Sequence, residues 1–227
     1  MTWNPNPEED RVELPPVTLV LLTWNRWELT RRCLATLLAS DLAGAELLVV
    51  DNGSTDGTPG ELAAYAGLRV LALPSNLGFV RGNNAGIAAA PPGNDVVLLN
   101  NDIEFVHRDW LQRLRAAAHS AADVGIVGCR QVLSDGRLLH AGTYILPDTM
   151  WGQQIGALER NVGQFTGRRN VEGITFAVAY LKRPVIDAIG GLAEDYESYF
   201  EDTDSCLRAG KAGFRTLYAG DSEVVHD

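Results

Sequence analysis

The sequence predicts an α/β protein: a Rossmann-like α/β/α sandwich on a mostly parallel central sheet, with a small antiparallel hairpin region. Two features of the chain support this prediction. Through the first half, short apolar runs alternate with longer amphipathic runs, as expected for buried parallel strands that are joined by helices. In the second half this alternation weakens, and Asp135-Gly136 separates two apolar runs, which is typical of a hairpin turn.

The first half of the chain reads as a strict alternation of strands and helices. The predicted strands are residues 17–22, 46–50, 68–73 and 95–99, and the predicted helices are residues 27–40, 60–66, 78–90 and 110–119. Within the third helix, Gly78, Gly82 and Gly86 recur every four residues and so share one face. This spacing leaves two interpretations open, namely close packing of the helix on the sheet or room for a ligand.

The second half is predicted to be less regular. Residues 130–140 form the hairpin, and residues 142–167, which are rich in Gly and Gln, form a long mobile loop. The remaining predicted elements are a strand over 174–181, a helix over 184–189, a helix over 202–212 that ends at Gly213, and strands over 214–218 and 223–225. We expect residues 17–227 to form a single domain and residues 1–16 to form an extended lead-in.

Composition limits the class of protein. The chain has 227 residues, 46% of them hydrophobic and 21% charged, which suits a soluble globular domain. Its net charge of −10 argues against a nucleic-acid binder, whose affinity rests on basic side chains. The three scattered cysteines form no disulfide or zinc pattern, which favours a reducing, cytoplasmic setting. There is no signal-peptide pattern and no apolar run of membrane-spanning length.

The stretch Glu201-Asp202-Thr203-Asp204 places three acids within four positions. One interpretation is structural, since the first turn of a helix attracts negative charge. The other is chemical: Asp202, at the helix start, could serve as a general base. Asp204 lies one helical turn before Arg208, so this pair is expected to be an ion pair that supports the helix.

Polar side chains also follow the predicted strands, where ligands of parallel sheets bind. Thr23, Asp51 and Asn100-Asn101-Asp102 all occupy such positions, and His226 follows the last strand. Carboxylate and amide oxygens suit Mg²⁺ or Mn²⁺, and a histidine ligand would favour Mn²⁺. Each group also has a structural interpretation: an Asx turn at Asp51, a polar turn at 100–102, and no role for a lone histidine.

Neither common nucleotide-binding fingerprint is present. The chain contains no G-x-G-x-x-G after the first strand and no G-x-x-x-x-G-K-[ST] sequence. A nucleotide would therefore have to be bound by other groups at the strand ends.

Taken in order, five motifs resemble those of the family 2 inverting glycosyltransferases of the GT-A fold, in particular the rhamnosyltransferase and galactofuranosyltransferase-like branch. The motifs are Leu-Thr-Trp-Asn-Arg at 22–26, Val-Val-Asp-Asn-Gly-Ser-Thr-Asp-Gly-Thr at 49–58, Asn-Leu-Gly-Phe at 76–79 with Asn-Asn-Ala-Gly-Ile at 83–87, Leu-Leu-Asn-Asn-Asp at 98–102, and Phe-Glu-Asp-Thr-Asp at 200–204 with His226. The resemblance covers almost all of the chain from Val17 onward.

The resemblance implies a role for each candidate residue. Thr23, Asn25 and Asp51 would line the nucleotide pocket, with Asp51 on the base, and Arg81 would contact the diphosphate. The remaining implied roles are Asp102 and His226 as ligands of Mn²⁺ or Mg²⁺, Asp202 as the catalytic base, and Asn100, Glu201 and Asp204 as candidate donor or acceptor contacts. Asn100 stands where a stricter D-x-D motif has Asp, which bears on metal affinity.

The implied activity is transfer of a sugar from a UDP- or dTDP-sugar to a hydroxyl of a glycan or lipid-linked glycan, in cell-surface polysaccharide assembly. The enzyme would work in the cytoplasm, at the inner face of the membrane, as one module of a longer chain. Two other functions stay open. One is a catalytically silent nucleotide-sugar-binding module. The other is a sugar nucleotidyltransferase, which would require a Gly-rich, basic loop after the first strand, where this chain has Leu-Thr-Trp-Asn-Arg at 22–26.

Overall fold

A computed structural model describes residues 14–149 and 151–227 of the chain. Most of the predicted lead-in therefore lies outside the described residues. The elements, in chain order, are β1 Val17–Thr23, α1 Trp27–Leu38, β2 Glu46–Asp51, α2 Thr58–Ala63, β3 Arg69–Ala72, α3 Gly78–Ala89, β4 Asp95–Asn100, β5 Ile103–Phe105, α4 Trp110–Ala118, β6 Val124–Val132, β7 Leu138–His140, β8 Thr143–Ile145, β9 Gly152–Gln154, β10 Arg168–Val171, β11 Val178–Leu181, α5 Arg183–Ile189, α6 Glu201–Lys211 and β12 Arg215–His226.

A large mixed sheet runs through the domain in the order β10-β12-β6-β11-β4-β1-β2-β3. The strands β3, β2, β1 and β4 are mutually parallel, as predicted for the first half. β11 runs antiparallel to β4 and β6, β12 runs parallel to β6, and β8 and β9 form a separate antiparallel pair. The predicted α/β/α architecture with a small antiparallel region is confirmed.

Helices cover both faces of this sheet and bury two separate apolar clusters. On one face α1 and α4 contribute Cys33, Leu34, Trp110 and neighbouring side chains. On the other face α3, α5 and α6 contribute Val80, Val185, Cys206 and their neighbours. Among the helices that the structure describes, none is long and apolar enough to cross a bilayer.

The glycines of α3 allow this helix to lie against the sheet. A Cβ on Gly82 would stand 2.7 Å from a methyl group of Leu22, and a Cβ on Gly86 would collide with Val20. Both contacts are with side chains of β1, so a larger residue at either position would push the helix away from the strand. Close packing, one of the two interpretations of this spacing, is therefore confirmed for Gly82 and Gly86.

The predicted hairpin is correct at its turn but too short. Gly136 adopts a left-handed φ of 85°, and β7 pairs antiparallel with β6. However, β6 begins at Val124 rather than near Arg130. Gly125 and Gly128 weaken the strand signal in this segment, and both are required by packing. A Cβ would stand 2.7 Å from Phe214 at the first position and 2.7 Å from Ile174 at the second.

Two further predictions need correction. The segment 142–167 is not a continuous loop, because β8 and β9 pair within it and Thr143 bridges to Gly173. The two closing strands are one strand, β12, whose register against β6 shifts between Ala219 and Glu223. Both errors concern pairings between segments far apart in the chain, which local periodicity does not report.

Candidate active site

The carboxyl ends of the central strands bring three predicted site residues to one edge of the sheet. In the parallel register, Thr23 of β1 lies beside Asp51 of β2, and Leu22 lies beside Asn100 of β4. A cavity of about 340 Å³ opens at this edge, and we call it the strand-end crevice. Its lining includes Thr23, Trp24, Phe79, Asn100 and Asp102.

A buried polar network lies beneath the crevice. The hydroxyl groups of Thr23 and Thr30 are 2.6 Å apart, and the side-chain amide of Asn101 donates to both, at 3.3 and 2.9 Å. This network links β1, α1 and the turn after β4, so it holds the residue before Asp102 in place. Sequence reasoning placed Thr23 here but missed Thr30, which carries no local signal of this contact.

Asp102 lines the crevice, and His226 lies beside it. The Nε2 atom of His226 lies 3.5 Å from Oδ1 of Asp102, and that oxygen is buried without a hydrogen-bond partner. On the far side of the ring, Nδ1 is 2.9 Å from Oε1 of Gln131, whose amide nitrogen donates to Thr175 at 2.7 Å. Because the amide nitrogen of Gln131 is engaged, its oxygen accepts the proton of Nδ1.

This hydrogen bond leaves Nε2 of His226 with a free lone pair that faces a carboxylate oxygen. Burial lowers the pKa of His226, against the opposing effect of Asp102, and so favours the neutral ring. Two electron-rich atoms in this arrangement suit a cation between them, and 3.5 Å is a span that two donors, each about 2.1 Å from one ion, can have. Gln131 would orient the histidine, as outer-shell partners of metal ligands do.

The donor set is small. Within the described ranges, no group of three or more His, Cys, Asp or Glu side chains is placed to hold a metal ion. Asp102 and His226 alone would bind a hard divalent cation weakly, and such ions commonly complete their coordination with water and substrate phosphate. The pair therefore fits an ion that arrives with a diphosphate.

Asp51 and Asn25 are fixed by local contacts. Asp51 is buried, and its Oδ1 accepts a hydrogen bond from the backbone N–H of Ser54 at 3.0 Å, as expected for a turn. Asn25, in a left-handed conformation, accepts from the backbone of Thr55 at 2.7 Å. These bonds shape the loop after β2. The contact of Asp51 with the nucleotide base and the place of Asn25 in the nucleotide pocket stay predictions.

Arg81 lies outside the strand-end crevice. Its guanidinium is 3.3 Å from the carboxylate of Glu194, and both side chains are more than half exposed. Arg81 lines a different, larger groove between α3 and α5. A diphosphate contact stays a prediction and would require Arg81 to leave Glu194.

The acids of α6 have distinct environments. Asp204 forms the predicted ion pair with Arg208, at 2.6 Å. Asp202 accepts a hydrogen bond from the backbone of Thr203 at 2.6 Å, yet burial raises the pKa of Asp202 overall. Burial, together with the neighbouring Asp202 charge, raises the pKa of Glu201 to about 7, and Oε2 of Glu201 has no hydrogen-bond partner. A raised pKa makes Asp202 a stronger base than an exposed aspartate.

The raised pKa of Glu201 predicts a pH-dependent stability. Between pH 4.5 and about 7 the folded protein holds a proton that the unfolded chain releases, so the unfolding free energy should fall as pH rises through this window. Glu201→Gln should flatten that slope and make the protein more stable than wild type above pH 7. Urea unfolding at several pH values measures both effects.

Asp204→Asn is the matched control, because Asp204 is paired with Arg208 rather than buried without a partner. This variant should leave the slope between pH 4.5 and 7 in place. Equal slopes for wild type and Glu201→Gln would show that Glu201 is ionised normally in the folded protein.

The fold and the acidic, histidine-containing edge of its sheet define a class: the glycosyltransferases of the GT-A fold. A mannosyltransferase of Pyrobaculum calidifontis, solved in complex with GDP-Man and Mn²⁺, has this fold, with a TM-score of 0.69 and 22% identity over 95% of this chain and 57% of its own. The chain belongs to glycosyl transferase family 2, whose model matches residues 18–189.

Two relatives place the chain further. It is 31% identical over 225 residues to the uncharacterized protein y4gI of Sinorhizobium fredii, covering 93% of this chain and 24% of that protein. It is 27% identical over 242 residues to the N-acetylglucosaminyl-diphospho-decaprenol L-rhamnosyltransferase of Mycobacterium tuberculosis, covering 92% of this chain and 75% of that enzyme. The chain thus spans about a quarter of the first relative's length.

Proposed function

We propose that this chain is the donor-binding and catalytic module of a metal-dependent, inverting glycosyltransferase. It would move a sugar from a UDP- or dTDP-sugar to a hydroxyl group of a glycan or lipid-linked glycan. The observation that carries the proposal is the pair formed by Asp102 and His226, whose unpartnered oxygen and nitrogen face each other at the edge of the strand-end crevice. A catalytically silent binding module would not also need a base such as Asp202, whose pKa is raised by partial burial.

The chemistry follows from the residues of the site. Asp202 takes the proton of the acceptor hydroxyl, and the hydroxyl oxygen attacks the anomeric carbon from the face opposite the nucleotide. The bond from that carbon to the diphosphate oxygen breaks as the new bond forms, which inverts the configuration. Asp102 and His226 would hold a divalent ion, which would supply positive charge to neutralise the leaving diphosphate.

Mn²⁺ or Mg²⁺ would serve as this ion, and the nitrogen donor of His226 favours Mn²⁺. The related fold that carries GDP-Man together with Mn²⁺ supports the same choice. Asn100, at the end of β4, would contribute an amide oxygen to the donor or its ion rather than the charge that an aspartate brings. Thr23, Asn25 and Asp51 would hold the nucleoside.

The biological setting is part of the proposal. A relative that acts on a decaprenyl-diphosphate-linked sugar supports an acceptor of the lipid-linked class and a place in polysaccharide assembly. The chain would then work in the cytoplasm, in peripheral contact with the inner face of the membrane that holds such an acceptor. Because one relative is about four times longer than the shared region, we propose that this domain is one module of a larger enzyme.

Nucleotide-dependent stabilisation tests the donor site. In Mn²⁺, UDP or dTDP should raise the melting temperature, because a ligand at 100 times its Kd adds about 2.7 kcal/mol to the unfolding free energy. Asp51→Ala should weaken this effect without unfolding the protein. Thermal shift with UDP, dTDP, GDP and ADP measures the preference.

Asp56→Ala is the control, since Asp56 lies on the same loop, is exposed, and its carboxylate accepts a hydrogen bond from the backbone N–H of Thr58 at 2.9 Å. It should leave the nucleotide effect unchanged. Equal stabilisation by ADP and UDP would contradict the assignment of Asp51 to the base.

A further inference from the structure

Three aromatic side chains stand exposed beside the candidate base. Trp151 is 57% exposed, Tyr199 79% and Phe200 40%. The rings of Trp151 and Phe200 meet edge to face, with centroids 5.2 Å apart and an angle of 81° between their planes. We call these two rings the aromatic platform. Exposed aromatic rings are less favourable in water than when covered, so a ligand that buries them gains binding free energy.

The backbone beneath the platform is strained. Tyr199 and Phe200 both have left-handed φ angles, of 67° and 69°. Aromatic residues rarely adopt this region, because the side chain crowds the backbone there. Helix α6 depends on the arrangement, because the carbonyl of Phe200 accepts a hydrogen bond from the N–H of Asp204 at 2.8 Å. The same strained turn therefore presents Phe200 outward and begins the helix that carries Asp202.

The segment 197–203, which carries Phe200, approaches both the β8–β9 hairpin and the strand-end crevice. On one side, a Cβ built on Gly152, next to Trp151, would stand 3.0 Å from the hydroxyl of Thr203. On the other side, the carbonyl of Glu197 lies 3.5 Å from the corresponding position on Gly78, which lines the crevice. A molecule on the platform would therefore lie beside the start of α6, which carries Asp202, on a segment that also approaches the crevice.

We propose that Trp151 and Phe200 form a stacking site for a pyranose ring of the acceptor. The face of an aromatic ring is electron-rich, and the axial C–H groups of a pyranose present weakly positive hydrogens over a flat, apolar face. The sugar's hydroxyl groups would then lie near the carboxyl group of Asp202, which is partly exposed two residues after Phe200. A polyprenyl chain has no polar group to pair with that acid, so the observations favour the sugar over the lipid part of an acceptor.

This inference rests on the proposed function, and its test separates the two. Protein labelled with 5-fluorotryptophan gives one ¹⁹F resonance for Trp151, assigned by its loss in Trp151→Phe. The resonance is followed, with UDP and Mn²⁺ present, during titration with the methyl glycosides of glucose, galactose, N-acetylglucosamine, mannose and rhamnose, and separately with n-octanol. The glycoside titrations extend well above millimolar concentrations, because a single stacking contact gives a Kd in or above that range.

At least one glycoside should shift the Trp151 resonance saturably, whereas n-octanol should not. Phe200→Ala should weaken the affinity about two- to tenfold, since an aromatic contact is worth about 0.5–1.5 kcal/mol. Phe200→Tyr, which keeps the ring, should restore it. Leu38→Ala is the matched control, because Leu38 is 46% exposed but lies on α1, on the opposite face of the sheet, and it should have no effect.

No shift with any glycoside would overturn the proposal, and a shift with n-octanol alone would assign the platform to a lipid instead. Nucleotide stabilisation is read independently by thermal shift on the same samples. If UDP stabilises the protein but no glycoside shifts the Trp151 resonance, the donor site stands and the acceptor stacking site is wrong. If a glycoside shifts the resonance but no nucleotide stabilises the protein, a carbohydrate site stands and the proposed transferase function is wrong.

Discussion

Asp202→Asn should lower kcat by about 10²–10⁴-fold while it leaves donor affinity nearly unchanged. The amide keeps the shape of the side chain but cannot take the proton of the acceptor hydroxyl. The loss should therefore fall on turnover rather than on the KM for the donor. Steady-state kinetics with the full-length enzyme and its acceptor measure both, and calorimetry with UDP confirms that the donor site is intact.

Asp204→Asn is the matched control for that experiment. It makes the same chemical change two residues further along α6, but Asp204 is paired with Arg208, which also donates to the carbonyl of Ile189 at 2.5 Å. We expect a loss of stability of about 0.3–0.5 kcal/mol, as for a helical ion pair, and little loss of turnover. If Asp202→Asn kept near wild-type turnover while Asp204→Asn lost most of it, Asp202 would not be the base.

Asp102→Ala should abolish most of the Mn²⁺-dependent part of nucleotide binding. The change removes the charged member of a two-residue donor set, so the loss should exceed the roughly 10–100-fold that follows loss of an outer-shell partner. His226→Ala should be less damaging, because a neutral imidazole contributes no charge. Calorimetric titration of UDP in Mn²⁺ and in chelator measures the metal-dependent component for each variant.

Gln131→Leu tests the orientation of the histidine in the same assay. It keeps both donors but removes the bond that holds Nδ1 of His226, so its effect should fall between wild type and Asp102→Ala. All of these variants should bind UDP like wild type in chelator. If wild type and Asp102→Ala bound UDP equally well in Mn²⁺, Asp102 would have no part in holding the ion.

Much of the fold could be predicted from local patterns. β1 and β2 are largely apolar because most of their residues are buried on both faces, and such runs are visible in the sequence without any knowledge of their partners. α1 carries Cys33, Leu34 and Leu37 on its buried face, which is a periodicity of the same local kind. In contrast, the predicted β6 is too short. Gly125 and Gly128 weaken the local strand pattern, and the reason for them is close packing against Phe214 and Ile174 in distant segments.

The site divides in the same way. The polar residues at strand ends could be found from sequence, since parallel strands place their carboxyl ends at one edge. Gln131 could not, because it lies 95 residues from His226 and nothing in its own neighbourhood marks it. Arg81 illustrates the opposite case, since its motif suggested a diphosphate contact while the structure pairs it with Glu194.

By itself, the sequence determined the alternation of strands and helices, the edge of the sheet where the candidate site residues lie, and the kinds of side chain available there. These properties depend on hydrophobic periodicity and residue type, which are local. Only the tertiary structure decided that Oδ1 of Asp102 is left unpartnered opposite His226, that Glu201 is buried enough to hold a proton near neutrality, and that Trp151 meets Phe200. Burial, lone-pair direction and ring contact depend on which distant segments pack together, and local sequence patterns do not predict that packing.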